Sequence, residues 1–167
     1  VLKHDDNDDI SGALEIPSSV SFDQYGFTYT YTVNEIENEA FRYCTHLTSV
    51  ELPYTLNTIP TSAFLGCSGL TKVTVPSPVT KIENNAFYGC SGLTSIILPF
   101  NLKEIGKWAL SGCKSLTSVY VPAGIKILPE GCFSGCTKLS NVTLSEGLEE
   151  IQASAFNMCT ALTTINL

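Results

Sequence analysis

Ile82-Glu83-Asn84-Asn85-Ala86-Phe87-Tyr88-Gly89-Cys90-Ser91-Gly92-Leu93-Thr94-Ser95-Ile96-Ile97-Leu98-Pro99 is a phrase that most of the chain repeats. It returns around Cys44, Cys67, Cys90, Cys113, Cys136 and Cys159, each 23 residues after the last, over residues 36–167. Set on that period, the apolar residues fall into columns. One reads Ile36, Ile59, Ile82, Ile105, Leu128, Ile151. The next pair is Ala40, Ala63, Ala86, Ala109, Cys132, Ala155 beside Phe41, Phe64, Phe87, Leu110, Phe133, Phe156. After the cysteines come Leu47, Leu70, Leu93, Leu116, Leu139, Leu162, then Val50, Val73, Ile96, Val119, Val142, Ile165. Leu52, Val75, Leu98, Val121, Leu144, Leu167 and Leu56, Val79, Leu102, Ile125, Leu148 complete the set.

A fixed period of this length with an L-x-x-L-x-L core marks a leucine-rich repeat solenoid. Each unit offers about eight apolar side chains, worth roughly 1.5–3 kcal/mol apiece when buried. No unit can bury them alone, so neighbouring coils must close one another. Leu93-Thr94-Ser95-Ile96-Ile97-Leu98 and its counterparts read as short parallel strands on the concave face, ended by Pro53, Pro76, Pro99 and Pro122. Ser145 stands where the next Pro belongs. The Ala-Phe-x-x-Cys stretch is too short for a long helix and reads as a helical turn or 3₁₀ segment. Gly66, Gly89, Gly112 and Gly135 precede the cysteines, where a tight bend calls for positive φ.

The N-terminal part departs from the phrase. Residues 1–13 read as a flexible acidic tail. Asp5, Asn7 and Asp9 match the opening of a calcium loop, but Ile10 and Ile16 fill its required Gly and Glu positions, so a solvated linker is the simpler reading. Residues 14–35 read as a hairpin-like cap. Leu14 to Phe22 is expected as one strand, with Pro17 suiting an edge. Asp23-Gln24-Tyr25-Gly26 signals a turn, and Phe27 to Val33 alternates apolar residues with Thr. Subtracting 23 places Phe27, Tyr29, Val33 and Ile36 on Val50, Leu52, Leu56 and Ile59, which makes this second strand a degenerate first coil. Residues 36–167 hold the tandem repeats, all in one domain.

The 167 residues are 44% hydrophobic and only 15% charged, with a net charge of −7 and a pI near 4.7. That balance argues against nucleic acid and anionic membrane surfaces as partners. No apolar run approaches the ~20 residues of a membrane span, so no membrane insertion is expected. The chain has no initiator Met and no signal peptide, and reads as a trimmed mature region or fragment. It stops at Leu167 without a polar capping unit, an open end suited to self-association.

The phrase I-x-x-x-A-F-x-x-C-x-x-L-x-x-V-x-L-P-x-x-L resembles the BspA-like, or Treponema-type, leucine-rich repeats. Leu110, Cys132 and Ser145 depart from it at the Phe, Ala and Pro positions, which touches local packing only. The resemblance implies a cell-surface or secreted protein and a role similar to adhesins. Their partners are host or microbial matrix proteins such as fibronectin or fibrinogen.

The cysteine column admits three readings. Coils about 4.7–4.9 Å apart satisfy the Cα distance of a disulfide, but ladder geometry holds Cβ atoms beyond the ~3.8 Å it prefers. Free thiols packed as small hydrophobes fit better; Cys132 and Cys136, four apart, remain a possible bridge, and an odd total of seven leaves at least one thiol unpaired. No C-x₂-C pair or partnered His suggests zinc. His4 and His46 are the only histidines, Glu149-Glu150 and Glu37/Glu39 read as solvated surface, and no phosphate-cradling loop appears. Neither an enzyme nor a cofactor is expected.

A binding surface is the better expectation. Side chains flanking Val50 and its equivalents point away from the core: Ser49, Lys72, Ser95, Ser118, Asn141, Thr164 and Glu51, Thr74, Ile97, Tyr120, Thr143, Asn166. Ile97 and Tyr120 stand out among small polar neighbours, with Tyr54 and Phe100 just after the Pro position. Two readings stand: an aromatic contact patch, or apolar residues exposed singly as on any surface. Thr48, Thr71, Thr94, Thr117, Ser140 and Thr163 read as a structural hydroxyl ladder. Trp108 belongs to an outward column on the back, as a second contact point or as a lid on a neighbouring coil. Asn141-Val142-Thr143 is a glycosylation sequon that, in a secreted eukaryotic protein, would block part of the concave face.

Overall fold

The computed structural model describes residues 10–166. The tail positions Asp5, Asn7 and Asp9, with His4 and the final Leu167, lie outside them. The main parallel ladder comes in two segments. The first is β1 (Gly12–Glu15), β4 (Leu47–Glu51), β6 (Lys72–Thr74) and β8 (Ser95–Ile97); the second is β10 (Ser118–Val121), β12 (Asn141–Leu144) and β14 (Thr164–Asn166). Register follows the period: Val50 pairs with Val73, Val73 with Ile96, and Val119 with Val142.

A second ladder of two-residue strands runs along the isoleucine column, unforeseen because two residues carry no periodic signal. It comprises β5 (Thr58–Ile59), β7 (Lys81–Ile82) and β9 (Glu104–Ile105), then β11 (Ile127–Leu128) and β13 (Glu150–Ile151). Both ladders are interrupted at the same coil boundary, after Ile97 and after Ile105.

Between the ladders the helical or 3₁₀ expectation is corrected: the Ala-Phe-x-x-Cys stretch is a run of turns. Backbone donors alternate there. Ala63, Leu65 and Cys67 bond three residues back, to Pro60, Ser62 and Phe64. Ser62, Phe64 and Gly66 bond forward to Asn84, Ala86 and Tyr88 of the next coil. A helix is impossible because two residues per coil are left-handed. Gly66, Gly89, Gly112 and Gly135 have φ of 71–74°, as the sequence predicts. A second column, missed in the sequence, joins them: Glu39, Ser62, Asn85, Trp108, Gly131 and Ser154, with φ between 56° and 64°.

The core is the set of columns already named. Leu47, Leu70, Leu93, Leu116 and Leu139 are fully buried, as are Phe64, Phe87 and Phe133. Phe41, Phe64 and Phe87 stack at 5.2 and 5.4 Å between ring centroids. Toward the C-terminal end the columns open, with Leu148 half-buried and Ile151 48% and Ile165 39% exposed.

At the N-terminus the sequence reading is wrong in one respect. The strand that continues the main ladder is β1, with Leu14 on Val50 and Glu15 on Glu51, and not the stretch from Phe27. Ile16, buried, donates its N–H to Glu51, so Ile16-Pro17 copies Leu52-Pro53. β2 (Ser19–Gln24) and β3 (Phe27–Thr32) form a separate antiparallel hairpin inserted into that first coil, and Phe27 and Tyr29 are exposed on it. The expected Leu14–Phe22 strand is thus two strands, broken at Pro17. After the insertion the predicted frame resumes: Ile36 is buried and Val33 packs against the core.

Candidate functional site

The outer face of the main ladder is built by strand alternation, because Val73, Ile96, Val119 and Val142 point inward and their neighbours outward. Ile97 on β8 and Tyr120 on β10 are 52% and 56% exposed. They sit on adjacent coils, either side of the ladder break. Tyr120 is held in place: the hydroxyl of Ser145 donates to its phenolic oxygen at 2.7 Å. The residue that replaces the repeat's Pro therefore orients an aromatic of the face, a contact the sequence did not reveal. Asn141 and Thr143 follow on β12, Asn141 exposed and Thr143 half-buried.

Tyr54 and Phe100 are the most exposed of the candidate residues, at 73% and 81%. They lie two coils apart in one column, roughly 10 Å by strand spacing. Tyr54 also lines an open cleft of about 360 Å³ with Glu51, Lys72 and Thr74. The four candidate residues thus occupy one side of the solenoid, in two groups, on a backbone fixed by the buried columns. The hydroxyl ladder lies beside them: Thr71 Oγ1 donates to the Thr48 carbonyl at 3.1 Å, Thr94 to Thr71 at 2.9 Å and Ser140 to Thr117 at 3.3 Å.

Trp108 is not open to solvent as its column implies. It is half-buried, and its ring covers Gly131 of the next coil, where a Cβ would fall 2.2 Å from Cε3. The lid alternative is the one realised. Tyr43 covers Gly66 in the same manner.

No disulfide joins any of the seven cysteines, all of them buried, Cys132 and Cys136 included. The column is a ladder of thiol donors, missed by the sequence reading. Cys67 donates to the carbonyl of Phe41 at 3.0 Å, Cys90 to Phe64 at 3.1 Å and Cys136 to Leu110 at 3.2 Å. Cys113 and Cys159 do the same to Phe87 and Phe133. Burial, then the neighbouring Cys159, pushes the Cys136 thiol up to about 12. The hydrogen bond with Cys90, then burial, drives Cys67 further still. Thiols so poised are structural groups, not nucleophiles. Among the described residues no group of three or more His, Cys, Asp or Glu could hold a metal ion, and no helix is long and apolar enough to cross a membrane.

Parallel coils, a single continuous core and an open strand face define a leucine-rich repeat solenoid. Residues 18–93 and 57–167 match the BspA type leucine rich repeat region in six copies, and the chain belongs to that family. Its fold is similar to a leucine rich cell surface protein from Faecalibacterium prausnitzii A2-165: 31% identity, TM-score 0.77, over 92% of this chain and 46% of that one. A leucine-rich repeat protein from Bacteroides ovatus ATCC 8483 is similar at 29% identity and TM-score 0.74, over 94% and 48%. A leucine rich repeat protein of T. pallidum follows at 27% and 0.64, over 90% and 78%. The chain therefore spans about half the length of the first two. No curated protein matches it. Family and fold together support a repeat module for protein interaction.

Proposed function

We propose that the outer face of the main ladder binds another protein, and that the module serves at the cell surface or in secreted form as an adhesin. Its partner is a host extracellular or microbial protein; by family resemblance, fibronectin- or fibrinogen-like matrix proteins come first. The observation that carries the reading is the exposure of Ile97, Tyr120, Tyr54 and Phe100 on a face whose other side chains are mostly small and polar. Exposed aromatics on a rigid scaffold are the usual energetic centres of protein contacts. The cell-surface description of the F. prausnitzii relative supports the location. The role is binding and not catalysis.

The test is surface capture of the chain on immobilised fibronectin and fibrinogen, compared with the double variant Ile97→Ser, Tyr120→Ala. Loss of at least tenfold in affinity is expected, since central interface aromatics are each worth about 2 kcal/mol or more. Unchanged binding by the variant would remove the ladder face from the interaction. Capture by neither protein nor by other matrix components would favour the alternative, a spacer or self-association module with no ligand of its own.

A further inference from the structure

The strands of the inserted hairpin place no residue in the solenoid core. All twelve residues of β2 and β3 are exposed, and the two strands pair only with each other. Tyr25 and Gly26 close it with φ of 53° and 81°, a type I′ turn that sets the register without a bulge. The register sorts the side chains cleanly. Ser19, Ser21, Asp23, Thr28, Thr30 and Thr32 share one face, tied by Ser21–Thr30 and Thr28–Asp23 hydrogen bonds of 2.7 and 2.6 Å. The other face carries Val20, Phe22, Phe27, Tyr29 and Tyr31 beside Gln24. Phe22 is stacked between Tyr29 and Tyr31, with centroids 5.6 and 5.7 Å away. These apolar residues keep between 41% and 68% of their surface exposed.

We propose that this aromatic face is a dimerisation surface and that it closes against the same face of a second copy. Three features favour a copy over a different protein. First, the face carries no charged side chain, while the chain as a whole has a net charge of −7. Like can meet like there without burying a like-charged pair, and a twofold axis makes any self-complementary patch an interface. Second, an aromatic buries about 150–250 Å². The exposed fractions then amount to roughly 500 Å² per copy, and two copies reach the ~1,000 Å² total a specific interface needs. Third, a lone hairpin is marginal in water and needs a covering layer. Neither strand carries the Lys, Pro or bulge that shields a free edge.

Sedimentation equilibrium of the full 167-residue chain tests this. A reversible dimer with a micromolar dissociation constant is expected, and it tightens with added salt because the bodies repel through their acidic charge. Phe22→Thr, Tyr29→Thr and Tyr31→Thr together should raise that constant at least about thirtyfold, the scale of a lost hot spot. The circular dichroism of the solenoid should stay intact, since the hairpin contributes nothing to the core. Gln24→Cys, on the same face, should form a disulfide-linked dimer under oxidation while the buried native thiols stay reduced. A chain that stays monomeric at millimolar concentration overturns the proposal. So does a dimer that survives the triple variant and is lost instead on substituting Ile151 and Ile165 at the other end.

Discussion

The contact between Trp108 and Gly131 can be tested by adding a single methyl group. In Gly131→Ala the new Cβ would sit 2.2, 2.4 and 2.5 Å from three atoms of the indole ring. Favourable carbon contacts begin near 3.5 Å, so the overlap exceeds 1 Å. To clear that space the half-buried ring must leave its seat over Gly131 and give up the packing it makes there. Relieving such overpacking costs about 1–3 kcal/mol. Alanine at φ of 64° adds about 1–2 kcal/mol of backbone strain. The single substitution should therefore destabilise the chain by about 2–5 kcal/mol. In a Trp108→Asn background the clash disappears and only the backbone cost remains. Asn is the residue at the equivalent Asn85, and it tolerates this conformation. A double-mutant cycle should return a coupling of about 1–3 kcal/mol. Urea unfolding followed by far-UV circular dichroism is the assay, since Trp108 is the only tryptophan and its fluorescence is lost in half the cycle. Equal costs of Gly131→Ala in both backgrounds would refute the argument.

Other consequences are as direct. Phe87→Ala removes a fully buried ring between Phe64 and Leu110 and should cost about 3–5 kcal/mol in the same urea assay; a loss below 1 kcal/mol would contradict the stacked core. Thiol titration without reductant should find seven groups in denaturant and almost none in the native chain at pH 8, whereas five or fewer in denaturant would indicate a bridge. The raised thiols also set an alkaline limit. A Cys136 thiol near 12 when folded and near 9 when unfolded contributes fully below pH 9, and its stabilisation is lost between about pH 9 and 12. The slope is up to about 1.4 kcal/mol per pH unit; Cys136→Ala should show a shallower decline, and an identical one would rule the thiol out. Ser145→Ala should free the Tyr120 ring and weaken matrix-protein capture by a few-fold while leaving the urea midpoint unchanged.

Periodicity makes the solenoid legible because each core column needs the same kind of side chain at every turn, from Leu47 to Leu139. It fails where the chain carries an insertion. The frame of 23 places Phe27 on Val50, but the hairpin displaces the true counterpart to Leu14. Alternation in Phe27–Val33 says that a strand forms and is silent about its partner. The Ile16-Pro17 pair was the available signal, matching Leu52-Pro53 and Leu98-Pro99. The second left-handed column was hidden by its varied residues, with Asn85 and Gly131 its only hints. The exposure of the four candidate residues was legible, since each is an apolar residue at an outward position. For Trp108 the sequence offered the lid but could not choose it, because an outward Cα does not say whether a large ring projects or folds back over a glycine. The Ser145–Tyr120 bond joins side chains 25 residues apart and leaves no local pattern.

The alternation of donors between turn and next coil has a consequence for how such a chain can change. In its turns each unit shows the same row of acceptors to the one before it and the same row of donors to the one after, while its thiol and hydroxyl donors point back in equally regular rows. Duplication or loss of one whole unit therefore leaves every surviving seam chemically unaltered, while gain or loss of a single residue misaligns the two left-handed bends with the carbonyls they serve. Overall span is in that sense a free variable for evolution, and spacing within a unit is not.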